Sequence, residues 1–151
     1  MKTFNLILLS LLFSPLLFSQ ASVAQAQSTT IKVQHKQPYG NYLTNGKGMS
    51  LYLFLKDTRG KSACYNKCAK KWPPVILKKG TKIKVGSNVD KKKLGTTKRK
   101  NGSLQLTYNN HPLYYFYKDK KAGDVKGQDK MSVWFLLNPS GKMIRTTKKS
   151  K

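Results

Sequence analysis

The chain has 151 residues, with 30 lysines and arginines against five aspartates and no glutamate, for a formal net charge of +25. So few carboxylates exclude most paired-carboxylate hydrolysis, and they cannot furnish the roughly six oxygens of a calcium cage. Only Arg59, Arg99 and Arg145 are arginine; the rest of the positive charge is lysine, a hydrated point charge without the planar fork that reads bases, so sequence-specific nucleic-acid binding is not expected.

At the N-terminus, Lys2 precedes a nearly apolar run over residues 4–18, and Ala24-Gln25-Ala26 offers small residues at a cleavage site. This is the pattern of a secretory signal peptide over residues 1–26. The run is shorter than the roughly 20 residues of a spanning helix and is followed by small polar residues, which disfavours a retained anchor. No cysteine near that site could take a lipid, so no lipobox is read. The expectation is a secreted or periplasmic chain beginning near Gln27, without a transmembrane segment after cleavage. Residues 27–151 suit one domain.

Beyond residue 30 the apolar pattern has a period of two. Residues 31–34 and 41–44 read as strands, Asn45-Gly46-Lys47-Gly48 as a turn, and residues 50–55 as a strand within "LYLFLKD" (51–57). In "SACYNKCAKKW", Ser62 is a plausible N-cap and Trp72-Pro73-Pro74 a stop, which predicts a two-turn helix before a short strand at 75–77. Residues 78–93, rich in Lys, Gly and Ser, read as a mobile surface loop. Strands at 94–99 and 104–108 flank Lys100-Asn101-Gly102-Ser103. Asn109-Asn110 tolerates positive φ and suits a tight hairpin turn, and His111-Pro112 opens the aromatic strand 113–117. Residues 133–137 and 142–146 flank Asn138-Pro139-Ser140-Gly141.

"LYYFYKD" at 113–119 repeats Leu-Tyr-x-Phe-x-Lys-Asp of 51–57, and "QLTYNNHPLYYF" parallels "YLTNGKGMSLYLF". The repeated unit is therefore a hairpin. Alternation places Tyr52 with Phe54, and Tyr114 with Phe116, on one face of each strand. Leu51, Leu53 and Leu55, or Leu113, Tyr115 and Tyr117, occupy the other face; strands apolar on both faces are buried on both. Asp57 and Asp119 close the two strands, where a carboxylate accepts backbone N–H groups and holds the following turn. The expected fold is all-β or β-rich, an antiparallel meander of two related β-hairpin units with one short disulfide-stapled helix.

Cys64 and Cys68 are the only cysteines. Four apart on a helix, their Cα atoms would lie about 6.2 Å apart, within reach of a disulfide, and outside the cytoplasm such a pair tends to oxidise. So small a ring stabilises by at most about 2 kcal/mol. The alternative is an extracytoplasmic copper or redox accessory that uses Cys64 and Cys68 as thiolates with His111, since soft sulfur ligands suit Cu(I); Met49, Met131 and Met143 could join them. Zinc would also need His35, and the histidine spacing is wrong for it. No haem-attachment motif or nucleophile elbow is present. The expected function is a non-catalytic binding or envelope-associated protein, drawn by lysine to anionic envelope components or other polyanions, weakening with salt. The competing reading of the charge is solubility alone. Trp72, Trp134 and the tyrosines would suit sugars, lipid head groups or single strands if exposed.

Tyr52-x-Phe54-x-x-Asp57 and Tyr114-x-Phe116-x-x-Asp119 resemble the Tyr-x-(Phe/Trp/Tyr)-x-x-Asp repeat of a bacterial family of secreted repeats, or predicted lipoproteins, of unknown function. The resemblance extends through Gly60, Ser62, Cys64, Cys68, Ala69 and Trp72-Pro73-Pro74 in the first repeat. In the second it takes in Tyr108-Asn109, His111-Pro112, Gly123-Asp124, Gly127-Gln128, Val133-Trp134, Pro139 and Gly141. Asn66 and Asn110 stand where that family favours glycine, and asparagine tolerates the same turns. The resemblance implies an extracytoplasmic β-rich domain and no particular activity.

Overall fold

Strands form over most of the segments that the period-two pattern predicts, and the leading hairpin forms in both copies. The computed structural model describes residues 28–145, apart from residue 59. The expected signal peptide and the end of the 142–146 strand lie outside the described residues. No described helix is long and apolar enough to cross a membrane.

In the first copy β1 (Ser28–Lys36) runs antiparallel to β2 (Gly40–Asn45), with Ile31 opposite Asn45. The Asn45 carboxamide oxygen accepts the Lys47 and Met49 N–H groups, turning the chain towards β3 (Tyr52–Phe54). Later, β4 (Ile76–Leu77) and β5 (Lys82–Val85) follow the helix α1 (Lys67–Lys71). In the second copy β6 (Leu94–Lys98) runs antiparallel to β7 (Leu104–Tyr108), with Leu94 opposite Tyr108. Asn109 and Asn110 then reverse the chain into β8 (His111–Pro112). Both have positive φ, 47° and 64°, as a two-residue type I′ turn requires. The hairpins match in detail: Leu51 N–H donates to Leu43 O at 3.0 Å, and Leu113 N–H to Leu106 O at 2.9 Å.

After its motif each copy sends a strand to the other. β9 (Trp134–Leu136), from the second copy, pairs antiparallel with β3, Phe54 opposite Trp134 and Tyr52 opposite Leu136. Leu43 N–H continues this contact, donating to Leu137 O at 2.9 Å. Reciprocally, β4 of the first copy pairs with β7, and Leu106 N–H donates to Val75 O at 2.8 Å. Between these exchanged strands the motifs meet directly. Tyr52 N–H donates to Tyr114 O at 2.9 Å and Tyr114 N–H to Tyr52 O at 3.0 Å. A reciprocal pair of this kind marks a local two-fold axis.

The two faces of the motif strands feed two cores. Leu51, Leu53 and Leu113 pack with Ile31, Leu43, Val75, Leu106, Phe135 and Leu137. Tyr52, Phe54, Tyr114 and Phe116 pack with Trp72, Trp134 and Leu136. The ends of the motif strands leave the core, with Leu55 and Tyr117 about 40% exposed.

Four local expectations are corrected. The helix spans only Lys67–Lys71, with Asn66 before it and no side-chain cap; the Ser62 hydroxyl instead accepts from Arg99 and hydrogen-bonds with the Tyr114 hydroxyl, whose own proton goes to Asp57. The 78–93 segment is not a bare loop. Within it Ile83 and Val85 are half-buried between exposed Lys82 and Lys84, so β5 keeps a period of two and pairs in parallel with β1. The 113–117 run is not a continuous strand: Tyr115 N–H reaches Pro73 O at 2.8 Å, but Pro73 has no N–H to return. Past β9, the expected 142–146 strand is reduced, among the described residues, to a single bridge between Leu137 and Met143.

Gly127 lies where no side chain fits. A Cβ there would sit 2.8 Å from the Tyr52 ring and 2.9 Å from two Trp72 ring atoms. Gly127→Ala should therefore destabilise the protein by about 1–3 kcal/mol, as overpacking does, measured by denaturant unfolding; an unchanged midpoint would show that the ring packing is looser than described.

Candidate functional site

The motif side chains converge around the two-fold axis. Phe54 stacks on Trp134 (4.0 Å between centroids) and Trp134 on Trp72 (3.9 Å), while Trp72 packs tilted against Phe116 (4.3 Å). Each Trp is thus carried by one copy and packed on the Phe of the other. Tyr114 meets Trp134 edge-on at 5.2 Å, and Tyr52 meets Trp72 likewise at 5.5 Å. Such pairs contribute about 0.5–1.5 kcal/mol each beyond the area they bury.

The polar groups of the motif cross over as well. The Tyr52 hydroxyl donates to Asp119 Oδ2 at 2.6 Å, and the Tyr114 hydroxyl donates to Asp57 Oδ2 at 2.8 Å. The other carboxylate oxygens hold the loops that follow: Ala63 N–H donates to Asp57 Oδ1 at 2.7 Å, and Lys126 N–H to Asp119 Oδ1 at 2.9 Å. Burial raises the pKa of both tyrosines well above the ordinary range, reinforced by the neighbouring carboxylates, so their hydroxyls stay protonated donors. Burial also raises both acids, Asp57 to about 6, against the opposing effects of their hydrogen bonds. All four side chains direct their polar atoms into protein partners.

Next to the Asp57 pair lies an arginine that sequence reasoning passed over. Arg99 is 6% exposed. Its Nη1 donates to Ser62 Oγ (2.8 Å) and Gln105 Oε1 (2.6 Å), and its Nη2 donates to Cys64 O (2.6 Å). Gln105 Nε2 in turn donates to Leu113 O at 2.8 Å. Its one signal in the sequence was rarity among so many lysines.

Cys64 and Cys68 form a disulfide, with Cα atoms 5.2 Å apart. In this oxidised state neither sulfur is a thiolate ligand. His111 sits instead at the head of β8, half-buried, in a recess with Leu53, Leu55, Asn109 and Met143; burial lowers its pKa. His35 Nδ1 hydrogen-bonds with Asn41 Oδ1 at 2.9 Å. Among the described residues no group of three or more His, Cys, Asp or Glu is placed to hold a metal ion, so the structure does not bring together the Cys64, Cys68 and His111 set.

The fold and the crossed motifs define a tandem β-repeat whose halves exchange strands. Residues 35–76 and 95–138 match the family described as "Secreted repeat of unknown function", and the chain belongs to that family. Each matched stretch falls in one structural copy and contains its motif strand. No curated protein and no solved structure matches the chain.

The crossing can be read energetically. Tyr52→Phe should cost about 1.5–3 kcal/mol, the worth of a hydrogen bond to a charged group. In double-mutant cycles Tyr52→Phe should couple to Asp119→Asn more strongly than to Asp57→Asn; the reverse ranking would contradict the geometry. A pH effect follows from Asp57. Its folded pKa lies above the ordinary 3.8, so folding favours the protonated form. That contribution is fully present below about 3.8 and is lost as pH rises through about 6. The stability of the native chain relative to Asp57→Asn should accordingly fall between those pH values in denaturant titrations at fixed salt, and a rise would show the carboxylate to be stabilised by its partners.

Proposed function

We propose that this secreted-repeat protein is a non-catalytic binding protein outside the cytoplasm, secreted or periplasmic after loss of its signal peptide, that associates with anionic envelope surfaces through its lysines. The observation that carries this reading is uncompensated charge. Against a net charge of +25, the described residues form only two ion pairs, Lys93–Asp90 and Lys126–Asp124. Four of the five acids are committed to local structure. Asp57 and Asp119 face tyrosines, Asp90 caps a 3-10 turn through Lys92 N–H, and Asp124 accepts the Lys120 and Lys121 amides. The motif residues Tyr52, Phe54, Asp57, Tyr114, Phe116 and Asp119 hold the fold together in this reading and perform no reaction.

Lysine held on a rigid β-scaffold attracts anionic surfaces at about 1 kcal/mol per side chain near the surface, within a Debye length of about 10 Å at 0.1 M salt. Cosedimentation with phosphatidylcholine vesicles should be negligible. Adding phosphatidylglycerol should recruit the protein, and raising salt from about 0.1 M to about 1 M, where the Debye length falls to about 3 Å, should release it. Binding indifferent to salt, or equal on neutral vesicles, would refute the proposal.

A further inference from the structure

Between the two copies, the end of β6 and the loop after the first motif enclose an open recess of about 440 Å³. Lys98, Arg99 and Lys100 line it from one side, and Lys61, Ser62 and Tyr65 from the other. Four of these residues are cations, and among the described residues no carboxylate lines the recess. Arg99 is the anchor. Its guanidinium is buried, yet its three protein acceptors, Ser62 Oγ, Gln105 Oε1 and the Cys64 carbonyl, are all neutral. The acid whose charge it does feel, Asp57, has one oxygen bonded to Tyr114 and the other to Ala63 N–H. Three of the five guanidinium N–H donors are engaged, and among the described residues Nε–H and one Nη2–H have no protein acceptor. The Tyr65 ring lies 4.5 Å from the guanidinium carbon and 5.1 Å from Lys100 Nζ, which fixes both cations against one aromatic wall.

A buried cation with no carboxylate in direct contact is costly, and a fork with spare donors in a lysine-rimmed recess matches the oxygens of a tetrahedral anion. We infer that this recess is a binding site for a phosphate or sulfate group, with Arg99 and the Lys61, Lys98 and Lys100 ammonium groups as its ligands. The site gives a localised component to the electrostatic reading above and rests on it. Its volume falls within the range of small-molecule sites, so it has room for the rest of a phosphorylated or sulfated molecule.

The test is a titration of the full secreted chain with inorganic pyrophosphate, and separately with a soluble short-chain phosphatidic acid, followed by NMR and calorimetry. Shifts should centre on Arg99 Nε–H and on the amides of residues 61–65 and 97–100. Binding of pyrophosphate would identify a free anion as sufficient; binding of the lipid alone would identify a head group as the source. The exposed triple variant Lys61→Gln, Lys98→Gln, Lys100→Gln should lose at least about tenfold in affinity. A charge-matched control on β1 and β5, Lys32→Gln, Lys82→Gln, Lys84→Gln, should stay within about twofold. Equal losses in both triples, shifts scattered over all lysines, or no binding of either probe would overturn the site. Those outcomes leave vesicle recruitment, which depends on total charge, to stand or fall separately.

Discussion

The fold turns on one contact: the antiparallel meeting of Tyr52 and Tyr114, in which each backbone N–H donates to the carbonyl of the other and each hydroxyl reaches the aspartate of the other copy. Neither copy can satisfy its own motif. An isolated first repeat would leave the Asp57 carboxylate without its tyrosine and Phe54 without its Trp. The second repeat would be deficient in the same way. Burying unpaired polar groups costs more than the bonds gain when made, so the exchange commits the copies to one another. A two-strand hairpin is marginal by itself, and here the exchanged strands supply its missing neighbours.

Around that axis the copies have diverged, and the differences follow from single residues. Phe135 has an N–H with which β9 can return a hydrogen bond to β3; the equivalent Pro73 has none, which leaves the second motif edged by isolated bridges. The first copy alone carries a disulfide, which ties the start of α1 beneath Trp72. Beside it Arg99, reaching across from the second copy, binds Ser62 and the Cys64 carbonyl. The structurally elaborate side of the pseudo-symmetric pair is therefore also the side where positive charge is concentrated around a recess.

Much of this was legible because it is local. Strands with two buried faces show as Leu-Tyr-Leu-Phe-Leu, and Asn109-Asn110 names its own turn. Residues 51–57 and 113–119 announce the duplication. Long-range choices were not written in that way. Alternation says that Tyr52 is buried, but not that its hydroxyl finds Asp119 and not Asp57. The shared spacing of Trp72 and Trp134, equal to that of the motifs, was the available hint of strand exchange. β5 was hidden because lysines occupy its outward positions and make the stretch look like linker. The helix start was misplaced because Ser62 serves Arg99 and Tyr114, residues distant in sequence, and not the helix. Of the candidate site, the cysteines, tyrosines and aspartates were visible as residues, while Arg99 was obscured by the excess of lysine.

The copies should open together or not at all. Native-state hydrogen exchange of the Tyr52 and Tyr114 amides tests this most directly, since the two donate to each other across the axis. Both should exchange with one and the same free energy, equal to that of global unfolding. Exchange of either through a smaller, independent opening would contradict the view that the crossed motifs bind the repeats into one cooperative unit.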